Sequence, residues 1–205
     1  EKIKPGALKA WLMLPRFQFL PLTVIMASLG TVIAVYEGYF HLGHFFLALF
    51  GSILVHMTVN VINDYHDYMD GIDLNTQRTP FSGGSGVLPL DLLKPKQAFW
   101  FATTCLLMAM VIGFYFVMVK GWLLFPLLLI AGFSAYFYNV YLAKWRMGEI
   151  FAGIGFGPLL VLGSYYVQTG RYSWETLVAS LAPGILTTNL LFLNEFPDWE
   201  ADRKG

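Results

Sequence analysis

Long apolar stretches constrain this chain more than any other feature. A helix needs roughly 20 apolar residues to cross a hydrocarbon core, and only a helix satisfies all of its backbone polar groups within one such segment. The stretches that qualify are Phe17–Tyr36, Leu42–Ile62, Ala98–Val119, Trp122–Tyr141, Ile150–Val167 and Leu177–Phe196. We therefore predict an all-α fold, a polytopic transmembrane helical bundle with about six helices in this chain.

The composition agrees with a membrane protein and argues against other classes. Hydrophobic residues make up 57% of the 205 residues and charged residues 13%, against roughly 25% charged residues in soluble domains. The formal net charge of zero gives no basic field for nucleic acid. Cys105, the one cysteine, can form no internal disulfide, and we expect it to pack in the core. The expected partner is a lipid bilayer, with no nucleic acid.

Charged residues collect on one side of the predicted bundle. When alternate connections are assigned to opposite sides, all of the 13 Lys and Arg except Lys120 and Arg171 share a side with the amino terminus. The positive-inside rule makes that side cytoplasmic. The acids divide in the same way, with Glu37 and Glu175 as exceptions. We predict an integral, multi-pass protein whose cytoplasmic face needs carboxylates and cations together.

The second apolar stretch runs into an acidic motif, "NVINDYHDYMDG". Its polar residues recur at separations of three and four, on one face of a helix within reach of a common ligand: Asn60, Asn63, Asp64 and Asp67. Gly71 is predicted to end this helix, with Asp70 and Asp73 near its exit. Carboxylates this close repel one another unless a cation joins them, and Mg²⁺ prefers such oxygen ligands. The alternative is a solvated helix end rich in turn residues.

A second acidic motif, "NEFPDWEADRKG", ends the chain. It repeats the pattern at intervals of four, as Asn194, Asp198 and Asp202. Pro197 is expected to kink the helix just before Asp198. Two acidic helix ends on one membrane face can hold metal ions with a diphosphate between them, and the ions neutralise the charge of a leaving pyrophosphate. We therefore predict a magnesium and diphosphate site that faces the cytoplasm.

These motifs resemble the UbiA superfamily of intramembrane prenyltransferases. The first signature of that family is similar to "NDYHDYMDGID" and the second to "NEFPDWEAD". The stretches "RTPFSGGSGVLP", "KWRMGEIFAGIGFGPLLVLGSYYVQTG" and "NEFPDWEADRKG" are most similar to its menaquinone-pathway branch. The resemblance implies Mg-dependent transfer of a polyprenyl group from a prenyl diphosphate to an aromatic acceptor, 1,4-dihydroxy-2-naphthoate.

The resemblance also implies roles for individual residues. The metal ligands and catalytic carboxylates are expected at Asp64, Asp67, Asp198 and Asp202. The substrate-binding residues are expected at Asn60, Asn63, Arg78, Tyr138, Lys144 and Asn194. Arg78, placed by its position just beyond the first motif, is alternatively a topology determinant, Lys144 a snorkelling cation and Tyr138 an aromatic of the membrane interface.

The length of the chain differs from the family pattern. Members usually have about nine transmembrane helices of roughly 20 residues each. We expect residues 1–205 to form a single prenyltransferase-like domain that lacks its C-terminal helices, so that a missing segment or an oligomer partner would complete the bundle.

Several features leave alternatives open. The stretch "SGGSG", residues 82–86, fits a lid over the site or a plain linker. The glycines of the fifth stretch fit either space for a bicyclic acceptor or close helix packing: Gly153, Gly155, Gly157 and Gly163. His56 and Asn189 are expected to make hydrogen bonds between helices.

Other functions also stay open. Another member of the superfamily would use 4-hydroxybenzoate or a glycerol phosphate lipid as acceptor. A non-catalytic membrane transporter or scaffold is the alternative outside the enzyme class. A transporter would carry its ionisable groups near the bilayer midplane rather than at one surface.

Overall fold

The computed structural model describes residues 7–71, 83–137 and 148–195. These residues form helices and their connections, with no strand among them. The α-helices are α1 (Ala7–Met13), α2 (Leu20–Tyr36), α3 (Leu42–Met69), α4 (Pro95–Lys120), α5 (Leu124–Phe137), α6 (Gly148–Ile154), α7 (Leu160–Thr169) and α8 (Trp174–Glu195). A 3₁₀ turn, Phe17–Phe19, precedes α2, and a π-helical segment, Gly155–Leu159, joins α6 to α7.

Helices long and apolar enough to cross a membrane account for most of the described chain. They are Leu8–Tyr36, Leu42–Met69, Pro95–Lys120, Gly148–Thr169 and Trp174–Leu193. The fourth predicted stretch corresponds to α5, whose apolar part, Leu124–Ala135, is shorter. Residues 138–141 of that stretch lie outside the described residues. The predicted all-α transmembrane bundle is therefore confirmed for the described residues.

Local sequence explains where α3 ends and where α4 begins. The helix α3 ends at Met69, the N–H of Asp70 donates to the His66 carbonyl over 2.8 Å, and Gly71 follows at φ +80°. A positive φ suits glycine and stops the helix, as predicted. The helix α4 begins at Pro95, whose fixed φ and missing N–H are both tolerated at a first helical position.

The amino-terminal span differs from its prediction because it is broken. The short helix α1 was not predicted, and α2 begins three residues after the predicted Phe17. Pro15 disfavours helical backbone at the residue before it, and Arg16 adopts a left-handed conformation at φ 53° and ψ 58°. The chain therefore turns between α1 and α2.

The helix α3 runs through the middle of the packing and separates two buried clusters. At its carboxyl end, α1, α4 and the loop before α4 meet around Leu14, Val61, Ile62 and Leu88. At its amino end, α4, α5 and α7 meet around Phe116, Leu124, Tyr166 and Val167. Cys105 is buried and unpaired between them, which confirms the packing role predicted for it.

Glycines set how closely α8 approaches α6 and the π-helical segment. A Cβ at Gly153 would lie 2.0 Å from Thr188 Oγ1, and one at Gly157 would lie 2.6 Å from the Gly184 Cα. No real contact is that short, so both positions require glycine for packing. A Cβ at Gly155 meets nothing within 4 Å. Close helix packing is thus the correct explanation for Gly153 and Gly157.

Candidate active site at the carboxyl end of α3

The final turns of α3 carry the first acidic motif on one helix. Asp64 is 1% exposed and Asn60 is 9% exposed, whereas Asn63 and Asp67 are half-buried. One turn towards the membrane interior, the His56 Nδ1 lies 2.7 Å from the Thr23 Oγ1 of α2. This contact confirms the hydrogen bond between helices predicted for His56. The same helix therefore carries polar groups from its middle to its acidic end.

Arg16 lies directly against this motif. Its guanidinium forms an ion pair with the Asp64 carboxylate and donates to the Asn63 Oδ1 over 2.9 Å. The side chains of Arg16 and Asp64 are 16% and 2% exposed. Two charges removed from water need each other, because either one alone would keep its full desolvation cost. Arg16 is therefore part of the site, although the sequence indicated only a topology cation.

The turn that presents Arg16 is held by α3 itself. The Asn60 amide donates to the Pro15 carbonyl over 2.9 Å, directly beside the Arg16 contacts. A left-handed backbone at a residue other than glycine costs on the order of 1–3 kcal/mol and persists when its surroundings impose it. The side chain of Asn60 is therefore used to fix the turn, which gives it a positioning role in the described structure.

The loop before α4 supplies a third contact to Asp64. The Ser85 N–H donates to both carboxylate oxygens, over 3.1 Å to Oδ2 and 3.3 Å to Oδ1. The Ser85 Oγ accepts from the Val87 N–H over 3.2 Å, and Val87 and Leu88 are fully buried. Residues 85–88 are thus anchored in the core beside Asp64. In this part of the stretch, the chain is neither a free lid nor a plain linker.

The oxygen donors of α3 suit a hard divalent cation. A carboxylate offers about four lone-pair sites, so Asp64 keeps acceptor capacity beyond its contacts with Arg16 and Ser85. Asp67 lies one turn further along the same helix. Mg²⁺ takes such oxygens and is commonly completed by substrate phosphates and water. His, Cys, Asp and Glu side chains form no group of three or more that could hold a metal ion within residues 7–71, 83–137 and 148–195.

The other predicted site residues fall elsewhere. Asn194 lies in the last turn of α8, next to its end at Glu195. The remaining residues lie outside the described residues: Arg78, Tyr138, Lys144, Asp198 and Asp202. The kink predicted at Pro197 falls there too. The structure therefore brings together Asn60, Asn63, Asp64 and Asp67 and leaves the second motif as a prediction.

The sequence missed Arg16 and Ser85 as members of the site. One signal could have pointed to Arg16, because a carboxylate carried deep on an apolar helix needs a partner, and intramembrane charges pair with one another. Nothing in the local sequence distinguishes Ser85 from its neighbours, since its contact is made through the backbone N–H.

A second polar cluster lies at the opposite end of the bundle. Glu37, which follows α2, accepts from the Tyr165 hydroxyl over 2.6 Å and from Arg171 over 2.8 Å. These hydrogen bonds hold the pKa of Glu37 below its ordinary value of 4.5, and the bond from Tyr165 has the larger effect. Gln168 bonds the backbone N–H of His41 over 2.7 Å. These contacts fasten the α2–α3 connection to the end of α7.

Comparison with known proteins decides the family. Residues 23–205 match the sequence model of the UbiA prenyltransferase family. The chain belongs to the UbiA prenyltransferase family. This confirms the resemblance inferred from the two acidic motifs. No solved structure matches the chain.

Three curated relatives carry names that specify naphthoate or naphthoquinone substrates. The chain is 27% identical over 195 residues to 1,4-dihydroxy-2-naphthoate octaprenyltransferase of Bacillus subtilis. The aligned region covers 94% of this chain and 61% of the relative. It is 26% identical to 2-carboxy-1,4-naphthoquinone phytyltransferase of Synechocystis, over 97% of this chain and 64% of the relative. A third, 1,4-dihydroxy-2-naphthoate octaprenyltransferase of Escherichia coli, is 28% identical over 96% and 66%. The chain spans less than two thirds of the length of these relatives.

Proposed function

We propose that this protein is a membrane-embedded transferase that moves a polyprenyl group from a prenyl diphosphate to an aromatic acceptor, 1,4-dihydroxy-2-naphthoate, in menaquinone biosynthesis. The observation that carries the proposal is the acidic end of α3, with Asp64 and Asp67 on one helix, in a chain that matches the UbiA family. The names of the relatives in Bacillus subtilis and Escherichia coli support the choice of acceptor.

The residues of α3 have distinct roles in this proposal. Asp64 and Asp67, with Asp198 and Asp202 of the second motif, would hold Mg²⁺. When bound, the ion supplies positive charge that stabilises the departing diphosphate. Arg16 and the Ser85 N–H fix the Asp64 carboxylate in one orientation. Preorganised charge of this kind lowers the barrier because it needs no rearrangement during the reaction.

The remaining substrate contacts come from residues around the same face. We assign Asn63, Arg78, Lys144 and Asn194 to the diphosphate and Tyr138 to the pocket for the substrates. The reaction breaks the allylic C–O bond, whose electrons leave on the diphosphate. A ring carbon of the acceptor then bonds to the allylic carbon, and a ring proton is lost. Burial of Asp64 supports a site from which water is excluded while the allylic cation exists.

The distribution of polar groups favours a transferase over a transporter. Transporters place ionisable groups at the membrane midplane on broken helices. In the described residues of α3, the carboxylates Asp64 and Asp67 lie in its last two turns. The histidine nearer the middle, His56, is bonded to Thr23.

The acceptor is tested by competition. The purified protein, Mg²⁺ and a labelled prenyl diphosphate are offered 1,4-dihydroxy-2-naphthoate, 4-hydroxybenzoate and a glycerol phosphate together. We expect the label on the naphthoate. Labelling of 4-hydroxybenzoate would overturn the acceptor, and labelling of a glycerol phosphate would move the protein to the lipid-ether branch. Absence of any transfer by folded protein that binds the diphosphate would favour a scaffold or transporter.

We also propose that the acidic end of α3 faces the cytoplasm, because the cations outside the spans collect on that side. Single cysteines at the exposed Lys94 and Phe40, in a variant without Cys105, should react with an impermeant thiol reagent from opposite sides of the membrane. Reaction of both from the same side would overturn this topology.

A further inference from the structure

A groove on the outer surface runs between α1 and the first turns of α4. Its volume is about 410 Å³, and its lining residues are Trp11, Lys96, Gln97, Trp100, Phe101 and Thr104. Those of α4 recur at separations of three and four, so they form one face of that helix. Trp11 closes the groove from α1, with its ring centroid 5.6 Å from that of Phe101. None of these residues belongs to the acidic motif.

The groove is graded from charged to apolar along α4. Lys96 lies in the first turn and is exposed. Trp100, one turn further, is 65% exposed, and Phe101 and Thr104 continue the wall. Among the described residues, the lining includes a cation and no acid. Lysine and tryptophan at the end of a span are typical of the membrane interface, where a lysine stem contacts apolar surface and its ammonium reaches the headgroups.

We propose that this groove binds one anionic phospholipid of the surrounding bilayer, with the phosphate at Lys96 and an acyl chain along Trp100 and Phe101. The argument is charge complementarity, because a cation without a neighbouring acid in the lining favours a negative headgroup over a zwitterionic one. The aromatic wall fits the first part of an acyl chain. Such a lipid would contact both α1 and α4, and α1 leads directly to Pro15 and Arg16.

The experiment compares lipids retained by the protein. The protein is reconstituted in nanodiscs with equal amounts of phosphatidylglycerol and phosphatidylcholine, and bound lipids are counted by native mass spectrometry. We expect one phosphatidylglycerol to be retained in preference. Lys96→Gln should lower that preference about fivefold, the effect of one cation near a charged headgroup. Lys94→Gln, the same change at an exposed residue outside the groove, should leave it unchanged.

A change in the aromatic wall and a competing anion test the same groove in two further ways. Trp11→Leu should reduce retention of phosphatidylglycerol, and its melting temperature shows whether it is folded. Equal retention of the two lipids by the wild type, or equal loss in the Lys94 and Lys96 variants, would overturn the proposal. Displacement of the lipid by inorganic pyrophosphate would also overturn it, because the groove would then be a diphosphate site. The outcome is independent of whether the protein transfers a prenyl group.

Discussion

The two ends of the bundle each hold an arginine paired with an acid, in opposite surroundings. Arg171 and Glu37 meet at 2.8 Å with side chains that are 57% and 24% exposed. Arg16 and Asp64 meet with side chains that are 16% and 2% exposed. Water screens the first pair, so this pair joins two connections and contributes little to the free energy of unfolding. The second pair lacks water, so each charge depends on the other.

The arrangement of the carboxylates also differs between the ends. Glu37 accepts hydrogen bonds from both Tyr165 and Arg171, so one carboxylate has two donors. At the acidic end, Arg16 faces Asp64 while Asp67 follows one turn later. A buried ion pair followed by another carboxylate on the same helix is the pattern that the proposed Mg²⁺ site needs. The comparison therefore separates a structural contact at one end of the bundle from a candidate active site at the other.

The largest effect is expected when the buried pair is broken. Arg16→Gln leaves Asp64 buried without its cation, and we expect the free energy of unfolding to fall by about 3–5 kcal/mol. The matched change at the exposed end, Arg171→Gln, should cause a much smaller loss. Chemical or thermal unfolding in detergent micelles measures both.

A double variant shows whether charge is the cause. Arg16→Gln combined with Asp64→Asn removes both charges and should recover most of the lost stability. Transfer should stay low in the double variant, because Asp64 is also a proposed metal ligand. A double variant no more stable than Arg16→Gln would mean that Arg16 acts through packing alone.

The second prediction concerns Asp67, the carboxylate one turn beyond Asp64 on α3. Asp67→Asn keeps the size of the side chain and removes one charge from the proposed cation site, so we expect transfer to fall about a hundredfold or more. Asp70→Asn makes the same change at the exposed residue that caps α3 and should keep transfer within about twofold. The initial rate with a labelled prenyl diphosphate measures both. Equal rates for the two variants would favour a solvated helix end.

Local pattern was enough to predict the helices and the end of α3. Apolar stretches and Gly71 act within a turn or two, so their consequences can be read from neighbouring residues. The break after α1 was missed, since the predicted span began at Phe17 and the left-handed turn at Arg16 was not considered. A single residue at the edge of an apolar run changed the path of the chain.

The site was only half predictable because its missing members arrive from distant sequence. Asp64 meets Arg16 from 48 residues away and the Ser85 N–H from 21 residues away. Helical spacing places Asn60, Asn63, Asp64 and Asp67 together, but it carries no information on which loop packs against them. The glycines show the same limit, since only the position of α8 distinguishes Gly157 from Gly155.

A third prediction tests whether the packing of Gly157 fixes the position of α8, the helix that precedes the second motif in the sequence. Gly157→Ala would place a Cβ 2.7 Å from the Ser180 carbonyl oxygen, and backbone there cannot yield cheaply. We expect a loss of about 1–3 kcal/mol in unfolding free energy. Gly155→Ala, with open space around it, should lose far less. Equal losses would show that α8 does not constrain these residues.

The smallest effect is expected at the exposed end and depends on pH. The hydrogen bonds from Tyr165 and Arg171 lower the pKa of Glu37 below its ordinary value of 4.5. A carboxylate with a lowered pKa in the folded state stabilises the protein above its ordinary pKa, and that contribution is lost as the pH falls through the folded value. The Glu37→Gln variant has no carboxylate at this position, so it lacks this contribution to stability at every pH. The melting temperature of the wild type should therefore exceed that of Glu37→Gln at about pH 6 and approach it at about pH 3. Subtracting the variant removes the titration of the other acids from the comparison. A difference that stays constant over this range would show that the charge of Glu37 does not hold the exposed end together and that its contacts act as neutral hydrogen bonds.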